Sequence, residues 1–269
     1  MKRLGLCLTG GGARGAYQVG AAKALEELGL FQQIHAFSGT SIGSVNACLL
    51  ATKTVDEVKD LWLKFPVTEL KSAENLFKMI RERKLGIVNQ GIYEIDGLEK
   101  LLRQELDTEE LRKKLVFVTL SPAGIDKEGA MGILRASFNH FIKNESQVIY
   151  SPIYEQTDEF IYKQILASCS IPFVFPSVNI DGQQVFDGGL YDNIPIKPLI
   201  DAGCDTVIVI HLHRIFFINK NKYPGIQIKE IRHWKSLGGV LNFDLEQASK
   251  RYKLGYEDTM KYFSENQIN

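Results

Sequence analysis

Leu4-Gly5-Leu6-Cys7-Leu8-Thr9-Gly10-Gly11-Gly12-Ala13-Arg14-Gly15, followed by Ala21, Leu25 and Leu28, is the stretch on which the fold turns. An apolar run that ends in three glycines and gives way to apolar residues at i, i+4 and i+7 predicts a strand, a loop and a helix. Gly29 closes that helix, and Ile34-His35-Ala36-Phe37-Ser38 predicts a second buried strand running into Gly39-Thr40-Ser41-Ile42-Gly43-Ser44, after which Val45 to Thr52 is helical. Two strand–turn–helix units in succession are how a parallel sheet covered by helices begins.

Working outward, residues 54–115 are charged and helix-rich, are broken by Pro66, Gly86, Gly91 and Gly97, and place Leu98, Leu101, Leu102 and Leu106 on one helical face. They are expected to form a helical, cap-like subregion. Strands are expected at Leu115–Leu120, Gly132–Phe138 and Thr206–His211, with a helix over Ile161–Ser168 and another over Leu245–Phe263. Val178–Ile180 and Gln183–Phe186 flank Asp181-Gly182, a pair that supplies the positive φ of a tight hairpin. The fold class expected is α/β with a mainly parallel sheet. Residues 1–215 are taken as one catalytic domain, and 216–269 as a segment that completes it.

Composition narrows the function. The chain has 32 Lys+Arg against 32 Asp+Glu and 45% hydrophobic residues, which excludes a disordered chain and gives no general attraction to nucleic acid. No apolar run approaches the roughly 18–20 residues of a membrane span. The start is read as a strand rather than a signal peptide, because glycines and Arg14 stand where a longer apolar region should continue. Cys7, Cys48, Cys169 and Cys204 have no paired spacing, which fits buried thiols in a cytoplasmic protein.

Three motifs carry chemistry. Gly39-x-Ser41-x-Gly43 lies between a strand and a helix, where a sharp turn projects the serine hydroxyl and glycines leave room for the neighbouring backbone. A plain N-capping serine explains the same string. Gly10-Gly11-Gly12-Ala13-Arg14-Gly15 matches the dinucleotide pattern G-x-G-x-x-G, but that reading expects an acid at the end of the second strand, and the serine turn stands there instead. The same amides suit a tetrahedral oxyanion. Asp187-Gly188-Gly189, an ordinary turn taken alone, gains weight because Ser41 needs a base.

In this order and near these positions the three motifs resemble the patatin-like phospholipase family. The resemblance extends to Ala167-Ser168-Cys169-Ser170-Ile171-Pro172-Phe173-Val174-Phe175-Pro176 and to Asp192-Asn193-Ile194-Pro195. Thr9 stands where the family often has Ser or Asp, and Ser170 and Ser177 replace a common alanine and proline. The resemblance implies a three-layer α/β/α fold and lipid ester hydrolysis without cofactor or metal. It further implies a dyad of Ser41 as nucleophile and Asp187 as base, with an oxyanion hole drawn from Gly10, Gly11, Gly12 and Ala13. Gly15, Gly39, Gly43, Gly188 and Gly189 would support these groups. Arg14 would orient a lipid phosphate or brace the loop, or, as an ordinary helix-start arginine, pair with a nearby acid.

The rivals are a Ser–acid–His triad using His211 or His213, a soluble carboxylesterase or thioesterase, and a non-catalytic regulatory protein of the same fold. A lipid substrate implies transient contact with the inner membrane face. Two apolar and basic stretches are candidates for it, 76–88 and 214–223; an ordinary half-buried helix explains the first, and a buried strand with a turn the second.

Overall fold

The computed structural model describes residues 3–64, 92–122, 148–170, 178–180, 183–187, 189 and 192–266. The two apolar runs of the opening stretch form β1 (Leu4–Leu8) and β2 (Ile34–Gly39), paired in parallel. Between them lie a one-turn 3-10 segment, Gly12–Gly15, and α1 (Ala16–Glu27). The chain leaves β2 through Thr40 and Ser41 into α2 (Ile42–Thr52), followed by α3 (Val55–Lys64). Further on come α4 (Ile92–Glu105), α5 (Thr108–Arg112), β3 (Leu115–Pro122), β4 (Ile149–Pro152) and α6 (Asp158–Ser168). The hairpin strands β5 (Val178–Ile180) and β6 (Gln183–Asp187) precede α7 (Lys197–Asp201), β7 (Thr206–Ile210), β8 (Gln227–Ile231) and α8 (Leu245–Glu265).

Among the described residues eight strands make one sheet, ordered β5-β6-β3-β2-β1-β7-β8, with β4 also paired to β3. Five of them, β3, β2, β1, β7 and β8, run parallel, and β4, β5 and β6 join antiparallel. β1 is buried along its whole length, which requires cover on both faces. Its alternate residues divide between two cores. Leu4, Leu6 and Leu8 join the larger one with Tyr17, Leu25, Val45 and Leu49 of α1 and α2, whereas Cys7 joins Leu199 of α7, Val207 and Val209. The result is the three-layer α/β/α arrangement expected from the sequence.

The chain after 215 enters these same layers. β8 pairs with β7, and α8 crosses α1 so closely that a Cβ on Gly20 would lie 1.8 Å from the Tyr252 carbonyl oxygen. Of the 54–115 region, α3 packs on the helical layer through Val55 and Val58, and Lys23 of α1 bonds to Asp56 at 2.8 Å. Residues 65–91, the strand expected at Gly132–Phe138, the Asp181-Gly182 turn and Gly188 lie outside the described residues. β4 and β8 were not expected. The first has only four residues and ends in proline, and the second, Gln-Ile-Lys-Glu-Ile, is broken by adjacent charges.

Candidate active site

Ser41 has φ 54° and ψ −128°, and among the described residues it is the only non-glycine with positive φ. Such a conformation costs about 1–3 kcal/mol and persists only where the surroundings enforce it. Here the enforcement is steric. A Cβ on Gly39 would sit 2.2 Å from the Gly43 carbonyl oxygen, and one on Gly43 would sit 2.1 Å from that of Leu8. The turn is pinned by Thr40 N–H donating to Leu8 O at 3.2 Å and Gly43 N–H donating to Thr40 O at 2.9 Å. The helix α2 begins at once, so Ser41 stands at the positive end of an eleven-residue dipole.

The serine's own amide donates to Ser168 Oγ at 2.9 Å. Ser168 in turn donates to Thr119 O at 2.8 Å, which spends its only proton, so Ser44 Oγ is the donor in its 2.9 Å contact with Ser168. Ser168, at the end of α6, thereby ties the serine turn to β3.

Asp187 ends β6, pairs in register with Leu120 of β3, and is buried. Its Oδ1 accepts from Gly189 N–H at 2.7 Å, and Gly189 lies against both Asp187 and Thr40, which sets the carboxylate beside the serine turn. Burial pushes the carboxyl up to about 6, against the opposing pull of the Gly189 amide and the nearby Ser41 hydroxyl. The Cys169 thiol also contacts Ser41, and burial together with the Asp187 charge holds it in the neutral form.

The glycine loop packs directly on the serine, since a Cβ on Gly10 would lie 3.2 Å from Ser41 Cβ. Its four amides are differently engaged. Gly10 N–H donates to Asn193 Oδ1 at 3.0 Å and Ala13 N–H to Val240 O at 2.7 Å, whereas those of Gly11 and Gly12 have no acceptor among the described residues. Gly12 has φ 56°, and a Cβ there would be 2.2 Å from Val240 O, so the loop lies flat against the 237–242 segment.

Two arginines fix that contact. Arg14 donates through Nε to Gly238 O at 2.8 Å and through Nη1 to Leu212 O at 3.2 Å, with His213 Nδ1 also 3.2 Å from Nη1. In this structure Arg14 braces the loop. Arg251 of α8, only 1% exposed, donates to the carbonyls of Leu237, Ala13, Asn242 and Gly239 at 2.6–3.0 Å. Four backbone acceptors solvate this buried guanidinium, and one of them belongs to the glycine loop. Behind the loop, Gln18 bonds to Thr9 O at 2.8 Å and Asn46 to Gln18 Oε1 at 2.8 Å, with Trp62 donating to Asn46 at 2.9 Å.

The structure thus brings Ser41, Asp187, Gly10 and Gly189 together. The described histidines have other partners. His211 Nε2 is 3.1 Å from Glu230 and 3.0 Å from Arg232, and burial lowers its pKa. Burial and the adjacent Arg14 bring His213 down to about 4, His233 pairs with Asp258 at 2.9 Å, and His35 is exposed. No contact links these four to Ser41 or Asp187. Ser168, Asn193, Gln18, Asn46 and Arg251 were assigned no role from the sequence. The signal for the first two lay in the Ala167–Pro176 and Asp192–Pro195 blocks. Among the described residues no group of three His, Cys, Asp or Glu is placed to hold a metal ion.

Fold and site together define the class, a three-layer α/β/α protein with a strained elbow serine beside a buried aspartate. The family model for patatin-like phospholipase matches residues 6–200, and the chain belongs to that family. It is 27% identical over 217 residues to the lysophospholipase NTE1 of Cryptococcus neoformans var. neoformans serotype D, covering 78% of this chain and 11% of that protein. With the lysophospholipase nte1 of Aspergillus terreus it shares 24% over 221 residues, covering 80% and 12%. The chain therefore spans about one eighth or less of the length of these relatives.

Among solved structures it is similar to VipD from Legionella pneumophila, with TM-score 0.56 and 16% identity over 98% of this chain and 67% of that one. Human GIVD cytosolic phospholipase A2 gives TM-score 0.56 and 11% identity, covering 98% and 59%. The ExoU–SpcU complex of Pseudomonas aeruginosa gives TM-score 0.55 and 18% identity, covering 98% and 52%. These likenesses are of fold.

Proposed function

We propose that the chain is a serine acyl hydrolase of lipid carboxylic esters that works through Ser41 and Asp187. The observation that carries the reading is a strained elbow serine set beside a buried carboxyl that burial pushes up to about 6. A free carboxylate near 3.9 is a poor acceptor for a serine proton, and raising it toward the working pH makes it a usable general base. Ser41 Oγ attacks the ester carbonyl as its proton passes to Asp187. The oxyanion settles on the unengaged amides of Gly11 and Gly12, with the α2 dipole behind the nucleophile. Asp187 returns the proton to the leaving alcohol, giving an acyl–Ser41 ester. Asp187 then takes a proton from water, whose attack frees the acid and restores the serine.

The amides of Gly10 and Ala13 have a different part in this reading. They donate to Asn193 and Val240, so they hold the loop in shape while their neighbours face the substrate. Gly39 and Gly43 admit close backbone, Gly15 and Gly189 admit neighbouring side chains, and Arg14 braces.

Lysophospholipid is the substrate favoured, because relatives named lysophospholipase align over most of the chain. The test is hydrolysis of lysophosphatidylcholine and of a short p-nitrophenyl ester by the wild type and by Ser41→Ala. Release of fatty acid that Ser41→Ala abolishes supports the reading, and release that survives the substitution refutes it. Turnover of the short ester alone would move the assignment to a soluble esterase.

A further inference from the structure

Of the six most exposed large apolar side chains among the described residues, four lie close in sequence after β7 and β8: Ile215 at 66%, Phe216 at 38%, Phe217 at 72% and Trp234 at 70%. Scattered exposed apolar residues are ordinary, but a cluster of large ones marks a contact surface. This cluster is also held rigid. The Arg232 guanidinium lies 5.0 Å from the Phe217 ring centroid and 5.6 Å from that of Trp234, and its Nη1 donates to Phe216 O at 2.9 Å. Glu230 and His211 hold Arg232 from the other side. The two rings are thus displayed to solvent on either side of a shared guanidinium contact.

Charge and position say what the surface fits. Between residues 211 and 236 stand six Lys or Arg (Arg214, Lys220, Lys222, Lys229, Arg232 and Lys235) and a single acid, Glu230. Arg214, Lys220, Lys222 and Lys235 are exposed, Lys220 pairing with Glu230 at 3.3 Å, so a chain of zero net charge carries a local positive excess on the segments that bear its aromatic cluster. The cluster also stands on the edge of the sheet that carries the site. Ser41 follows the carboxyl end of β2, the glycine loop that of β1, residues 211–218 that of β7, and 232–234 that of β8, all in parallel strands. The link is short: Phe216 packs on His213 with ring centroids 5.2 Å apart, and His213 contacts Arg14 of the glycine loop.

We propose that Ile215, Phe216, Phe217 and Trp234, with the basic residues of the same segments, form an interfacial docking surface that seats the chain on an anionic lipid surface and turns its active-site edge toward it. Aromatic rings sit at the headgroup level of a bilayer, and exposed Lys and Arg near the surface add attraction to anionic lipid. The candidate stretch 76–88 lies outside the described residues. The purpose of the surface rests on the lipid-hydrolase reading, but its occupancy does not.

Binding and turnover are therefore measured separately. Trp62 and Trp234 are the two tryptophans, so in Trp62→Phe protein the emission reports Trp234 alone. Vesicles of phosphatidylcholine with 30% phosphatidylglycerol should shift that emission to the blue, and phosphatidylcholine alone should shift it far less. Sedimentation of otherwise wild-type protein with the same vesicles should weaken at least about 30-fold in the Phe217→Ala/Trp234→Ala variant, the scale of two large apolar side chains losing an apolar environment. Added salt should weaken it too. Hydrolysis of a soluble short ester by that variant should match the wild type, which shows that it is folded. Unchanged Trp234 emission with both vesicles, or unchanged sedimentation of the double variant, overturns the proposal. So does self-association that buries Trp234 without lipid. If the wild type binds vesicles but hydrolyses no ester, the docking surface stands and the hydrolase reading fails.

Discussion

Replacing Asp187 with asparagine should make the protein more stable and less active at once. The carboxyl is raised from 3.8 to about 6, chiefly because burial disfavours its charge. At 1.36 kcal/mol for each pH unit between 3.8 and about 6, keeping Asp187 ionised in the folded protein costs about 3 kcal/mol at neutral pH. The sign follows from the raised folded-state value. Between pH 4 and 6 the native state binds more protons than the unfolded one, so the stability associated with Asp187 is fully present below about 4 and lost as pH rises through about 6. An amide of the same shape avoids the charge and keeps an acceptor for Gly189 N–H. Asp187→Asn should therefore gain up to about 3 kcal/mol over the wild type above pH 7, a rise in Tm of roughly 6–12 °C at this size, and the gain should shrink toward pH 4. Urea or thermal unfolding of both proteins across pH 4–8 measures it. Loss of the general base should lower kcat at least about 10²-fold. An Asp187→Asn protein that is less stable at pH 7.5, or whose stability difference is flat with pH, would refute the argument that burial sets the base.

Other outcomes follow from the same geometry. Arg251→Met leaves four carbonyls, two of them buried, without their donor and should cost about 3–5 kcal/mol in urea unfolding; in the protein that remains folded, kcat on a soluble ester should fall more than KM rises, because the Ala13 end of the glycine loop is freed. His211→Ala and His213→Ala should each retain most ester hydrolysis, and a loss comparable to that of Ser41→Ala would restore the triad. In the wild type, kcat/KM should rise with pH through about 6 and then level, the titration of Asp187 in the free enzyme.

Much of this was legible in the sequence because it was written in backbone requirements. Gly39 and Gly43 mark where strand and helix nearly touch, and the Gly10–Gly12 run marks where a loop must lie flat against both Ser41 and Val240. β1, β2 and β7 are short apolar runs, and such runs are what a doubly covered parallel sheet requires. What the sequence hid was long-range polar pairing. Arg251 lies 238 positions from the Ala13 carbonyl it holds, and Ser168 lies 127 from the Ser41 amide; neither partner leaves a mark in the neighbouring residues. Segment 214–223 was singled out for its apolar and basic composition, but Trp234 enters the same surface only because β7 and β8 are neighbours in the sheet. The division of labour among the loop amides was equally hidden, since Asn193 and Val240 approach from distant loops.

The central claim is that Ser41 is a nucleophile made reactive by Asp187. It is tested most directly by treating the protein with a fluorophosphonate and mapping the adduct by peptide mass spectrometry. The account predicts a single adduct on Ser41, formed rapidly in the wild type and in His211→Ala and His213→Ala, slowed at least about 10²-fold in Asp187→Asn, and absent from Ser41→Ala. An adduct on another residue, or equal rates in the wild type and Asp187→Asn, would contradict it.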